Sequence, residues 1–198
     1  MSVGWSVLVH PEVRAWMRTL DEKTAAGVVA AIDALAVYGP TLQRPLADTL
    51  TGSAMKNLKE LRPGSSGRSE VRILFAFDPA RQAVLLVAGD RRGSGHAGIS
   101  GPSRWPSGGS PSMSPRWKAG TRTMTEMTPW EQVRAETLES GQVSPDALAQ
   151  AQVVQDAYVA GYRLAELRGK AGMTQTQLAE AMGVSQARIS AMERGELD

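Results

Sequence analysis

The chain has 198 residues, 42% of them hydrophobic, with 22 Lys and Arg against 20 Asp and Glu for a net charge of +2; that length suits two small domains with real cores. It has no cysteine and two scattered histidines, which excludes a disulfide framework and a thiolate metal site and leaves no metal or other cofactor expected. No basic start precedes a long apolar run, and no stretch approaches the roughly 18 apolar residues of a membrane span, so a cytoplasmic protein with no membrane partner is expected.

Charge divides the chain in three. Residues 1–90 carry 10 basic and 9 acidic residues, residues 91–123 carry 6 and none, and residues 124–198 carry 6 and 11. The flanks have the mixture of folded domains, whereas the middle has no acid at all.

The first segment reads as α+β, two helices plus an antiparallel sheet. Trp5–Val9 is a short strand. Pro11 suits a first helical turn, and the run to Leu20 places Val13, Trp16, Met17 and Leu20 on one face. A second helix begins after Asp21 with acids in its first turn, carries Val28, Ile32 and Leu35 at helical spacing, and stops at Gly39-Pro40. Two β-rich runs then flank the turn Asp78-Pro79-Ala80-Arg81, an antiparallel hairpin with a third strand before it.

The middle segment is rich in Gly, Ser, Pro and Arg and has neither helical nor strand periodicity, so residues 92–123 are expected to be a disordered linker. Gly93, Gly95 and Gly98 spell the G-x-G-x-x-G of a dinucleotide cradle. The context excludes it: Ile99 to Gly109 cannot open a helix, and no acid follows until Glu126. Two origins stay open for this stretch, a linker as such or a GC-rich gene read in a shifted frame. Trp105 and Trp117 are unusual in a flexible linker.

The last segment is expected to be all helical. Thr128 with Glu131 forms a capping box before a helix to Glu139, and Ser144-Pro145 starts a long helix toward Lys170. Thr174 to Gln177 is a second capping box, Leu178, Ala179 and Met182 form a buried face, and Gly183 supplies a tight turn. Ser185 caps the next helix, whose Ile189 and Met192 return to the core. This is a helix-turn-helix.

The closing stretch resembles the Cro/cI (Xre) family, whose T-Q-x-x-L-A, turn Gly and S-x-x-x-I-S-x-x-E-x-G are matched from Thr174 to Gly195. The resemblance extends over residues 163–198 if the end of the long helix serves as the family's first helix. It implies a second helix in the major groove of double-stranded operator DNA. Gln186, Ala187 and Ser190 would then face bases from a helix capped by Ser185, with Arg188 at a base or a phosphate, while Gln175 and Arg194 hold the backbone. Arg188 and Ser190 fit a solvated surface equally well. The family's further helices close the domain core, so without such cover the unit is expected to be marginal unless a partner supplies the missing face.

Met55–Pro63, Arg68–Phe77 and Asp78–Asp90, followed by a basic residue, resemble the HigB branch of the RelE family, toxins that cut messenger RNA on the ribosome. The resemblance implies metal-independent catalysis in which Lys59, Arg62, Arg72 and Arg91 hold phosphate charge and help activate the ribose hydroxyl. The alternative for each is a solvated sheet face paired with Glu60 and Glu70. In such families an Xre antitoxin gene follows the toxin gene, and this chain has the two in that order. The implied organisation is a toxin domain at 1–91, incomplete at its C-terminus, a linker at 92–123, and a HigA-like antitoxin at 124–198. The expected function is a DNA-binding autorepressor, or alternatively a self-restrained ribosome-dependent nuclease. The implied partners are operator DNA, ribosome and mRNA, a toxin–antitoxin surface and a second copy in a homodimer.

Overall fold

The structure, a computed structural model, describes residues 4–50, 58–64, 71–90 and 127–196. Strand β1 (Ser6–Val9) leads into helices α1 (Pro11–Met17) and α2 (Glu22–Tyr38), a 3-10 turn, and strands β2 (Ala47–Thr49) and β3 (Leu58–Leu61). The hairpin β4 (Val71–Phe77) and β5 (Gln82–Asp90) follows, and after residues 91–126 come β6 (Thr128–Pro129) and helices α3 (Trp130–Glu139), α4 (Pro145–Lys170), α5 (Gln175–Met182) and α6 (Gln186–Glu193).

Local chemistry sets most boundaries. Asp21 caps α2 by accepting from the Thr24 N–H at 3.0 Å, and His10 caps α1 ahead of Pro11 through its Nδ1, 3.2 Å from the Glu12 N–H, satisfying donors the helix leaves orphaned. In the β4–β5 turn the Asp78 carboxylate accepts from the Gln82 N–H at 2.9 Å. Arg81 there takes a left-handed φ of 61°.

The strands form one six-stranded sheet in the order β2-β3-β4-β5-β1-β6. All neighbours are antiparallel except β1 and β5, which run parallel. One face carries Val7, Val9, Leu61, Ile73, Phe75 and Leu85 and packs on α1, α2 and parts of α3 and α4. Leu58, Leu74, Val84 and Leu86 make a smaller apolar cluster on the opposite face, where Met127 joins them. Alternation along each strand separates the two sets.

The stretch Glu22–Thr41 reaches a mean hydropathy of 1.3 and is long and apolar enough to cross a membrane by length and composition, which corrects the reading that no stretch comes near. Burial accounts for that apolarity: Ala26, Val28, Val29, Ile32 and Leu35 of α2 lie at 0–1% exposure in the main core.

Two further expectations are corrected. Thr128 does not cap α3: it pairs with Val9 as part of β6, α3 has no side-chain cap, and the last segment is helical apart from this strand. The unpaired edge of β1 offers backbone partners in sheet geometry, which outcompetes one capping bond. Met182 and Met192 are 49% and 37% exposed rather than core, whereas Ala179 and Ile189 of the same two helices are buried. The linker expected at 92–123 and the glycine motif at Gly93 fall outside the described residues.

Candidate functional site

The helix-turn-helix is built as its spacing demands. Thr174 and Gln177 cap α5 reciprocally, with Gln177 N–H to Thr174 Oγ1 at 3.2 Å and Thr174 N–H to Gln177 Oε1 at 2.8 Å. Gly183 takes the left-handed φ of 66° that turns the chain, and the Ser185 hydroxyl accepts from the Arg188 N–H at 3.2 Å to start α6. Ile189 is fully buried while Ser185, Gln186, Ala187 and Arg188 are exposed. The first turn of α6 thus presents its side chains outward together.

Gln175 joins this surface to the scaffold. Its Oε1 accepts from Gln186 Nε2 at 2.6 Å and its Nε2 donates to Glu193 Oε2 at 2.8 Å. Glu193 in turn receives both Nε and Nη2 of Arg168 on α4, at 2.5 and 3.0 Å, and the Arg168 guanidinium holds its carboxyl below the usual carboxylate range. Arg194 donates to the Ser190 hydroxyl at 2.5 Å and to both oxygens of Glu196 at 2.7 Å.

Gly195 is the last fixed point. It sits at φ 71°, and a Cβ there would lie 2.6 Å from the Tyr158 Cα on α4. A Cβ on Gly161 would likewise run into the Met192 carbonyl. The long helix α4 therefore lies backbone to backbone against the end of α6, and it supplies the cover for Ile189 that the sequence left open.

On the sheet, the structure gathers two of the four basic candidates. Arg62 and Arg72 flank Glu60, a carboxylate 5% exposed on β3: Arg62 Nε donates to Glu60 Oε1 at 3.0 Å, and Arg72 Nε lies 2.7 Å from the same oxygen as an ion pair without hydrogen-bond alignment. Arg62 also reaches Asp48 at 3.2 Å, and Arg44 reaches that same oxygen at 2.7 Å. The Arg44 guanidinium holds the Asp48 carboxyl low. Lys59 is not in this group. One residue from Glu60 along a pleated strand, it points to the helix-covered side and lies over the Phe77 ring at 5.9 Å. Arg91 is outside the described residues.

A third constellation joins residues 4–90 to residues 127–196: helices that begin at Trp130 are expected from the sequence to mask a toxin surface, but the partner residues have no motif of their own. Trp130, 2% exposed, donates from Nε1 to Asp33 Oδ1 at 2.7 Å. Arg134 Nε bonds both Asp33 oxygens at 3.1 and 2.9 Å. Arg14 Nη2 bonds both oxygens of Glu136 at 2.6 and 2.5 Å, and this lowers the Glu136 pKa. The one signal in the sequence is a tryptophan followed at helical spacing by Arg134; its partner Asp33 stands about 100 residues away, where no local pattern marks it.

The fold and these sites define a class of protein, an α+β toxin-like domain carried with a helix-turn-helix unit. The family described as "Phage derived protein Gp49-like" matches residues 15–97, and the helix-turn-helix family matches residues 164–197. Three proteins of Mycobacterium tuberculosis are similar. "Putative toxin HigB2" is 59% identical over 92 residues, 46% of this chain and 45% of that protein. "Putative toxin HigB3" is 47% identical over 89 residues, 45% of this chain and 75% of that protein. "Putative antitoxin HigA3" is 39% identical over 75 residues, 37% of this chain and 69% of that protein. The chain belongs to the HigB/HigA toxin–antitoxin family, with a HigB/RelE-type toxin domain first and an Xre-type helix-turn-helix last. It spans about half the length of the first of these relatives. No solved structure matches it.

Proposed function

We propose that the chain is a toxin–antitoxin fusion that acts mainly as a sequence-specific repressor of its own operator, in the cytoplasm and as a homodimer on two half-sites. The observation that carries this reading is the exposed first turn of α6, with Gln186 held in place by Gln175. A glutamine so oriented can pair with adenine in the major groove, and Ala187 beside it suits a thymine methyl. Gln175, Arg188 and Arg194 supply backbone or further base contacts. Gln186→Ala is expected to cost about 1–3 kcal/mol, roughly 5- to 150-fold in affinity, at one operator position, with little change on random DNA. Fluorescence anisotropy on DNA from upstream of the gene measures this; equal losses on operator and random DNA overturn the base-reading role.

The gathering of Arg62 and Arg72 on the sheet face away from α1 and α2 favours a second reading, a ribosome-dependent mRNA endoribonuclease. Two guanidiniums suit the RNA backbone. The family residue that completes proton transfer comes from the C-terminal segment, and residues 91–123 contain no tyrosine and no acid. Such transfer is worth about 10²–10⁴ in rate. Expression of the chain is therefore expected to leave bacterial growth and messenger integrity intact; Arg72-dependent cleavage would make the nuclease the better reading. We attribute residues 92–123 to a shifted reading frame, and the other two frames of the same codons should then encode an aromatic, charged C-terminus.

A further inference from the structure

At the β2 edge of the sheet a cleft of about 370 Å³ opens between the stretch Pro40–Thr49, Lys59 of β3 and the second half of α4. Leu42 and Ala47, 7% and 3% exposed, give it an apolar base. Arg44, Thr49, Lys59 and Tyr162 bring hydrogen-bond donors to its walls. Thr49 and Lys59 stand directly opposite each other in the β2–β3 register, and Tyr162 and Glu166 lie one turn apart on α4. Each carboxylate at the cleft already has a cation of its own: Asp48 pairs with Arg44 at 2.7 Å and with Arg62 at 3.2 Å, and Glu166 pairs with Lys170 at 3.5 Å. Arg44 also meets the Tyr162 hydroxyl, which carries it across from β2 to α4. Lys59 differs. It is half-buried, and its ammonium has the Phe77 ring at 5.9 Å and no carboxylate among the described residues. A ring face replaces only part of the hydration of an ammonium, so the cleft holds a surplus of positive charge and of donors.

We propose that this cleft binds a small organic phosphate, with the phosphate on Lys59, Thr49 and Arg44 and the organic part against Pro40, Leu42 and Ala47. A compact ammonium, a guanidinium fork and a hydroxyl are donors that suit phosphate oxygens. The volume is at the low end for small-molecule sites, which limits the ligand to the size of a sugar phosphate or a mononucleotide. Asp48 and Glu166 also line the cleft, so a polyphosphate meets repulsion that a single phosphate on Lys59 avoids. The site is separate from the cluster of Arg62 and Arg72 on Glu60, because Lys59 and Glu60 face opposite sides of β3. The inference does not depend on the repressor reading. One wall of the cleft belongs to residues 40–59 and the other to α4, whose backbone at Gly161 abuts the end of α6. A bound ligand therefore braces the sheet edge against the helix that carries the helix-turn-helix, and stabilises the folded chain by mass action.

The test is calorimetric titration of the full chain with AMP and with glycerol phosphate, beside inorganic phosphate, citrate, a short single-stranded RNA and sodium chloride at matched ionic strength. The two organic phosphates are expected to bind saturably below about 1 mM, the range in which metabolite sites work, and to raise the unfolding temperature. Inorganic phosphate should bind more weakly, since it leaves the apolar base uncovered, and citrate and chloride should do neither. Lys59→Met keeps the stem over Phe77 and removes the charge; it should weaken AMP binding by about ten- to a hundredfold, and Lys59→Arg should restore most of the loss. Tyr162→Phe removes one hydroxyl and leaves the packing of the ring in place, and should weaken binding by about fivefold, so the inference remains testable if Lys59→Met does not fold. Absence of saturable binding by either organic phosphate overturns the site, and equal AMP affinity in the wild type, Lys59→Met and Tyr162→Phe overturns its location. Tighter binding of citrate than of AMP overturns the assignment to phosphate. Binding of the RNA with none of AMP shows that the surplus charge serves a nucleic-acid backbone and overturns the small ligand.

Discussion

Glycines and carboxylates at a few positions carry more of this molecule than their size suggests. Gly195 ends the E-x-G signature, and its constraint is twofold: a left-handed φ of 71° and the approach of the Tyr158 backbone. Gly141 has nearly the same φ, 73°, with nothing within 4 Å of a Cβ, so it isolates the first term. Gly141→Ala is expected to cost about 1–2 kcal/mol from backbone strain alone. Gly195→Ala should cost clearly more and loosen α6 from α4; thermal unfolding of the pair checks this, and equal shifts would show that the packing against Tyr158 carries no weight. Glu60 has the complementary role. It turns two mutually repelling guanidiniums into a paired cluster, which was visible in the sequence only as a possible salt bridge beside Arg62. That Lys59 stands apart from them follows from the pleat, since neighbours on a strand face opposite ways.

At the level of elements, caps decide where helices begin when nothing tertiary competes. The Thr174–Gln177 box lies in an exposed turn, and both its bonds form. Thr174→Ala is expected to destabilise α5 by about 1 kcal/mol, seen as faster hydrogen exchange at the Gln177 amide and its neighbours; unchanged exchange would place the stability of α5 in its packing alone. Thr128 with Glu131 has the same local pattern and forms no cap, because the β1 edge captures the chain there. α4 shows the converse. Its 26 residues are one helix in the sequence pattern, yet its first half packs on α2 and its second half on α6, a division of labour that its own periodicity does not mark.

Across the whole molecule, two carboxylates that bridge its parts have lowered pKa values. Glu136 is held down chiefly by its bond to Arg14, and Glu22 by its bonds to Ser144, whose N–H lies 3.1 Å away. A folded value below the unfolded one means that the stabilisation is complete above the ordinary glutamate value, about 4.3, and is lost as the pH falls through the depressed folded value. Acid is therefore expected to separate the two parts of a chain cut by protease between residues 105 and 117, in the window below about pH 4.3, by gel filtration across a pH series. Glu136→Gln should flatten part of that response; retention independent of pH from 7 down to 3 would show that these bonds do not hold the parts together.

The helix-turn-helix with its caps and turn glycine and the β4–β5 hairpin with its Asp78 turn are determined by the sequence itself, because each rests on interactions within a few residues. What only the tertiary structure decided joins residues far apart. It made the edge of β1 a site for Thr128, set Trp130 and Arg134 on Asp33, turned Lys59 away from Arg62 and Arg72, and left Met182 and Met192 at the surface. A periodic pattern states which side chains share a face of one element. Which other element meets that face depends on the edges and charges that the rest of the chain leaves unpaired.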